Sequence, residues 1–176
     1  MTAAPLSADE ILDVVDDEDR VIGQARRADI YAKNLRHRCT FILVTNSDGN
    51  IFVHRRTPTK MAFPSLYDAF VGGVVGAGEA YDDAAHREAE EELGVTGLAP
   101  PDFLFKFLFE DGPLSWWCAV YQVRCDLKVS PQVEEVAWHA FISEAELKAK
   151  LGEWTFVPDG LAAWHRLQDW RTRGAA

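Results

Sequence analysis

Several things are scarce in this sequence, and each scarcity removes a class of protein. Among 176 residues only Cys39, Cys118 and Cys125 are cysteines, an odd and widely spaced set. They fit neither a disulfide framework nor a zinc cluster, and read as reduced, small apolar thiols of a cytoplasmic protein. No apolar run approaches the roughly 18–20 residues that span a bilayer. Met1-Thr2-Ala3-Ala4-Pro5 lacks the basic and apolar regions of a secretory signal. Basic residues are few: 18 Lys and Arg stand against 28 Asp and Glu, a net charge of −10. Duplex nucleic acid is bound through Lys and Arg that neutralise phosphates, so it is a poor partner for this chain. An anionic membrane would repel it. Internal repeats, low-complexity tracts and long Gly/Ser linkers are also missing.

What is present suffices for a core. Hydrophobic residues make up 48% of the chain and aromatics 11%, the profile of a globular protein. The length fits one domain, 1–176. Its first 36 residues read as an extension. Residues 11–25 place two apolar runs around Asp16-Asp17-Glu18-Asp19, a hairpin pattern, and 26–35 are mildly helical. From 37 onward a core begins. Cys39–Thr45 is a β-branched and aromatic strand, and the turn Asn46–Asn50 returns it to Ile51–Val53. Residues 55–66 read as a loop, and Tyr67–Val75 as a strand region ending in glycines. A helix opens at Asp82 or Asp83 and stops at Gly94. Phe103–Phe109, Trp116–Val123 and Val136–Phe141 are further strands. Ser143-Glu-Ala-Glu has the form of a capping box for a helix ending near Gly152. Asp159–Arg173 is a last amphipathic helix. This order predicts an α/β fold in which a mixed sheet carries helices on both faces.

The chemistry is concentrated between Gly73 and Val95. On a helix with 100° per residue, Glu88, Glu91 and Glu92 fall within an arc of roughly 100°, beside an apolar stripe of Ala85, Ala89 and Leu93. Glu90 points elsewhere. Three carboxylates on one face repel one another unless something neutralises them. A hard divalent cation with oxygen ligands does so, and magnesium is the common choice beside phosphates. Gly72, Gly73, Gly76 and Gly78 allow backbone to approach a metal or phosphate closely. Glu79 stands where it can orient the glutamates. Arg87, four residues before Glu91, holds a carboxylate in place.

The segment 73–95 carries the pattern Gly-x5-Glu-x7-Arg-Glu-U-x-Glu-Glu-x-Gly-U, with U apolar. It is met by Gly73, Glu79, Arg87, Glu88, Ala89, Glu91, Glu92, Gly94 and Val95. This resembles the Nudix box, and the likeness extends at lower specificity over most of 10–170. The resemblance implies an α/β/α sandwich with a central mixed β-sheet. It implies hydrolysis of a diphosphate linkage in a small-molecule nucleoside diphosphate derivative, with Mg2+ or Mn2+. It makes Glu88, Glu91 and Glu92 the metal cluster, with the carbonyl of Gly73 or its neighbour as a further ligand. The general base is then Glu88 or an acid on a later loop, for which Glu134 and Glu135 are the candidates. Arg87 enters the catalytic set by holding these acids. Lys60, Arg55 and Arg56 are the candidates to hold substrate phosphates. Phe63, Tyr67 and Trp116 are candidates to stack on a base, although aromatics near strands are more often core. Many relatives pair, so a homodimer is open.

The flanks narrow the likeness. The N-terminal hairpin, Leu35–Phe41, Arg55-Arg56, Lys60 and Pro64 resemble the isopentenyl-diphosphate isomerase-like branch. Isomerisation of an isoprenoid diphosphate is therefore the rival activity. It requires a catalytic cysteine where this chain has Gly72, a metal histidine where it has Val74, and acids where it has Leu114-Ser115-Trp116. His37 matches one isomerase histidine and reads as structural. A binding module that has lost catalysis would not need the intact, mutually repelling glutamates. The expectation is a hydrolase.

Overall fold

The computed structural model describes residues 7–174. The reading of Met1–Pro5 lies outside them. After a 3-10 turn at Ser7–Asp9 come β1 (Ile11–Val15), β2 (Val21–Arg26) and α1 (Arg27–Lys33). The strands β3 (His37–Thr45), β4 (Ile51–Arg56) and β5 (Tyr67–Asp68) precede helix α2 (Tyr81–Leu93). Then follow β6 (Asp102–Asp111), β7 (Leu114–Arg124), β8 (Val136–Ile142), α3 (Glu144–Lys150) and α4 (Pro158–Gly174).

β3 organises the fold. It pairs in parallel with β7 from His37↔Trp116 to Thr45↔Arg124, and β7 pairs antiparallel with β6. Its four central residues, Phe41 to Val44, are all buried, as expected of a strand covered on both faces. Alternate side chains feed opposite layers. Phe41 and Leu43 join Trp116, Val120, Leu147, Trp164 and Leu167 under α3 and α4. Ile42 and Val44 join Ala85, Ala89, Leu93 and Tyr121 under α2. The result is an α/β/α sandwich around a mixed sheet, as the resemblance implied. The extension is fastened by a third cluster, Leu12, Ile30 and Val74. Among the described residues no helix is long and apolar enough to cross a membrane.

The sheet forks where β3 meets β4. Thr45↔Ile51 is their one ladder pair, after which they diverge. Residues 67–76 fill the gap. Tyr67 and Asp68 pair with β4, then Val71 bridges to Ile42 and Val74 to Cys39 on β3. The expected strand 67–75 is thus confined to two residues. Gly72, at φ 148°, lies at the crossing, in a conformation that favours glycine, and breaks the ladder. The expected loop 55–66 also begins later. Arg55 and Arg56 continue β4, opposite Trp138 and Val136 of β8.

α2 begins after Ala80 and ends at Gly94, a left-handed cap whose N–H reaches the carbonyls of Glu90 and Glu91. Ser143 caps α3 by accepting from Glu146 N–H.

Candidate active site

The fork opens into a cleft of about 590 Å3. One wall is the acid-rich face of α2 with Gly72–Val74, and Lys60, Glu134 and Glu135 come from two loops. The loops are tied together, because Thr57 donates through its hydroxyl to the Glu134 carbonyl (2.8 Å) and through its N–H to that of Glu135 (3.1 Å).

The three glutamates of the α2 face differ in burial. The side chains of Glu88 and Glu92 are 13% and 11% exposed, whereas Glu91 is 55% exposed. Burial pushes the Glu88 carboxyl up to about 7, against the pull of Arg87 and with added repulsion from Glu91. Burial likewise lifts Glu92 to about 7, against Lys60 and helped by Glu88. Both therefore resist holding full charge at neutral pH without a counterion. Arg87 joins the acids. It donates through Nε and Nη2 to the two carboxyl oxygens of Glu79 (2.8 and 2.9 Å), and through Nη1 to Glu88 (2.7 Å) and Glu91 (3.4 Å). Glu79 also accepts from Gly76 N–H at 2.9 Å, which pins the loop to the helix.

These residues fit a hard divalent cation, although among the described residues no three acids or histidines stand as a ready ligand set. The donors are carboxylate oxygens, the type magnesium takes. Two of them are buried and under-compensated. Gly73 lacks the Cβ that would stand 2.5 Å from Glu88 Oε2, so the carboxylate lies against bare backbone. The Gly73 carbonyl accepts from Thr40 N–H (2.9 Å) and, at 3.5 Å, from the Thr40 hydroxyl.

The predicted basic residues separate. Arg56 lines the cleft and donates to the Ala62 carbonyl. Lys60 lines it and is paired with Glu135. Arg55, one residue along the strand, takes the opposite face, where it donates to the Ser65 carbonyl and lies over the Tyr67 ring. It is outside the cleft lining, and so is Tyr67, which stacks on Trp154 at 4.2 Å. Phe63 and Trp116 do line it.

Sequence reasoning missed several residues. Arg27, which opens α1, enters the cleft held by Glu10 (3.2 Å) and Tyr31 (3.1 Å), and its charge acts on Glu88. No local pattern marks it. Asp68 and Asp159 line the floor, both buried. Burial holds the carboxyl of Asp68 well above the usual range, with Asp159 adding to the rise. His54 is buried beside Glu92, with Nε2 3.9 Å from Oε2. Burial and then the Arg56 and Lys60 charges keep it neutral, with a pKa of about 3. His37 donates to or accepts nothing in the cleft; its Nδ1 lies 3.0 Å from the Leu35 carbonyl and burial lowers its pKa to about 4.

Comparison with known proteins agrees with this geometry. Residues 35–160 match the NUDIX domain family. The uncharacterised Nudix hydrolase SCO1686 of Streptomyces coelicolor is 67% identical over 166 residues, 94% of this chain and 92% of that protein. The uncharacterised Nudix hydrolase YfcD of Escherichia coli is 39% identical over 170 residues, 97% and 91% of the two chains. The crystal structure of DR0079 from Deinococcus radiodurans superposes with a TM-score of 0.74 at 32% identity, covering 89% of this chain and 98% of that one.

Proposed function

The chain belongs to the NUDIX domain family, as a hydrolase of pyrophosphate bonds, and from that premise we propose a Mg2+- or Mn2+-dependent enzyme that cleaves the diphosphate of a nucleoside diphosphate derivative. The observation that carries this reading is one cleft holding two buried, near-neutral-titrating carboxylates of α2 together with Arg27, Arg56 and Lys60.

Glu88, Glu91 and Glu92, with the Gly73 carbonyl, are the ligands that would hold the cation. When bound, it supplies neutralisation of phosphate oxygens and a lowered pKa for water. Arg27, Arg56 and Lys60 bind the diphosphate oxygens and keep the phosphorus in line for attack. Glu135, fixed by Lys60, takes the proton of the attacking water, and Glu88 is the second candidate for that role. Arg87 is a positioning residue that acts through Glu79, Glu88 and Glu91. Arg55 has no part in the site.

Within the isopentenyl-diphosphate isomerase-like branch the reading remains hydrolytic. At Gly72, the position of the isomerase cysteine, any Cβ would run into the Thr40 carbonyl oxygen. We place the enzyme in the cytoplasm, acting on small molecules without duplex or membrane partners. A homodimer is compatible with this.

The test incubates the protein and Mg2+ with nucleoside di- and triphosphates, diphosphate-linked sugars and isopentenyl diphosphate. Release of phosphate, pyrophosphate or a nucleotide from any of the nucleotide substrates supports the proposal. Isomerisation of isopentenyl diphosphate with no hydrolysis anywhere overturns it.

A further inference from the structure

The family match begins at residue 35, yet the extension before it is built into the cleft. β1 is joined to the loop that leads into α2. Leu12 bridges to Gly76, Ala77 N–H donates to the Ile11 carbonyl (2.9 Å), and Gly78 N–H donates to Asp13 Oδ2 (2.9 Å). The segment that carries Arg27 is therefore fixed to the same backbone that positions the glutamates. Arg27 is itself restrained. Its backbone N–H donates to the Glu10 carbonyl (2.7 Å), its Nη1 to the Glu10 carboxylate (3.2 Å) and its Nε to the Tyr31 hydroxyl (3.1 Å). A guanidinium has five N–H groups, and among the described residues Nη2 of Arg27 has no partner. The Tyr31 hydroxyl accepts from Arg27, and among the described residues its own proton has no acceptor. Tyr31 is half-buried and borders the cleft with Arg27 and Glu10. Burial raises its pKa, against the pull of Arg27, so the hydroxyl keeps its proton at neutral pH. Four residues apart on one helix, Arg27 and Tyr31 share a face. A guanidinium edge and a neutral O–H thus stand side by side in the cleft as donors.

We propose that Tyr31 is a substrate-binding residue, donating its hydroxyl proton to a phosphate oxygen beside Arg27, and that Glu10 is a positioning residue acting through Arg27. This rests on the diphosphate reading of the cleft. A phosphate group fits because it carries several acceptor oxygens on one centre, so neighbouring oxygens meet the guanidinium and the hydroxyl together. A long arginine side chain loses rotamer freedom when it binds a ligand. Glu10 and Tyr31 impose that loss before substrate arrives, which leaves more of the contact as affinity. The extension in this way completes a phosphate clamp that residues 35–160 do not contain by themselves.

The test uses the full chain with Mg2+ and takes two readings: the Kd of inorganic pyrophosphate by calorimetry, and KM with kcat for the best nucleotide substrate. The proteins are wild type, Tyr31→Phe, Glu10→Gln, Arg27→Ala, and Glu10→Gln combined with Arg27→Ala, each checked by thermal unfolding. Tyr31→Phe keeps the ring and removes one hydrogen bond, so Kd and KM should rise about tenfold, with kcat within about twofold. Glu10→Gln keeps the shape and loosens the guanidinium, and should raise both by about fivefold, the scale of ordering one long side chain. Added to Arg27→Ala, it should change neither, because a residue acting through Arg27 then has nothing to act on. An unchanged pyrophosphate Kd in folded Tyr31→Phe overturns the proposal. So does a Glu10→Gln effect of equal size with and without Arg27, which marks a merely structural role. Should Tyr31→Phe not fold, the cycle between Glu10 and Arg27 decides alone. A protein that hydrolyses none of the substrates, yet binds pyrophosphate more weakly in the variants, loses the hydrolase reading and keeps the clamp. A wild type that binds no pyrophosphate overturns the clamp.

Discussion

Gly72 and Gly73 are neighbours in the chain, and alanine at each should have opposite consequences. A Cβ on Gly73 would stand 2.5–2.8 Å from the carboxyl atoms of Glu88. That obstacle is the end of a flexible side chain, so the fold can absorb it. Glu88 must retreat by roughly an ångström to reach ordinary carbon contact distance, and a displacement of that size in a catalytic group costs about 100-fold in rate. Gly73→Ala should therefore keep the wild-type melting temperature within a few degrees and lose about two orders of magnitude in kcat/KM. A Cβ on Gly72 meets the backbone carbonyl of Thr40, which cannot rotate away, and φ of 148° suits only glycine. Backbone strain of this kind costs about 1–3 kcal/mol, and separating β3 from residues 71–74 adds to it. At about 2–4 °C per kcal/mol for a chain of this size, the strain alone should lower the melting temperature of Gly72→Ala by about 2–12 °C. Circular dichroism against temperature and phosphate release at saturating Mg2+ measure the two quantities. A Gly73→Ala enzyme with the wild-type rate, or a Gly72→Ala protein with the wild-type melting temperature, would refute the reasoning.

Three other expectations can be checked with the same assays. Glu88→Gln and Glu92→Gln should each reduce kcat/KM by orders of magnitude while the protein stays folded by circular dichroism; wild-type rates would remove both residues from the site. Arg27→Ala and Arg56→Ala should raise KM about tenfold or more, as loss of a charged hydrogen bond does, while Arg55→Ala stays within about twofold, because its contacts, the Ser65 carbonyl and the Tyr67 ring, lie outside the cleft lining. The third concerns acid. His37 has a folded pKa of about 4, against 6.5 in its ordinary state. Between those values the unfolded chain binds the proton and the native one does not, so stability falls as pH drops from 6.5 toward 4. The shift corresponds to about 3 kcal/mol, an upper bound for this one group. Denaturant melts of wild type and His37→Gln should diverge in slope across that window, and parallel curves would contradict the burial argument.

How much of this was legible in the sequence depends on the range of the interactions involved. α2, its stop at Gly94 and its line of Ala85, Ala89 and Leu93 follow from local periodicity, and so do the apolar centres of β3 and β7. The spacing of the glutamates on one helix face is equally local. Arg55-Arg56 misled because two adjacent arginines look like loop, whereas on an extended strand they point to opposite faces and only Arg56 enters the cleft. The run 67–75 looked like one strand because its valines and phenylalanine favour extension. What divides it is a crossing between two partners, invisible without them. Arg27 lies 61 residues from Glu88. Their meeting is a product of topology, with no periodicity to announce it.

The fork between β3 and β4 has a consequence for how such a protein can change. The cleft is held open by backbone pairing: β4 turns to β8 and β5, and β3 to β7 and residues 71–74. Its depth does not depend on the bulk of the side chains that line it. Trimming one of them enlarges the room without bringing the walls together, and exchanging one alters the cleft's shape while the glutamates on α2 stay where they are. On the proposed function, the scaffold would separate the part that acts on phosphate from the part that selects the attached group. Drift in the second is cheap, and relatives with the same box and framework are free to diverge in what they accept.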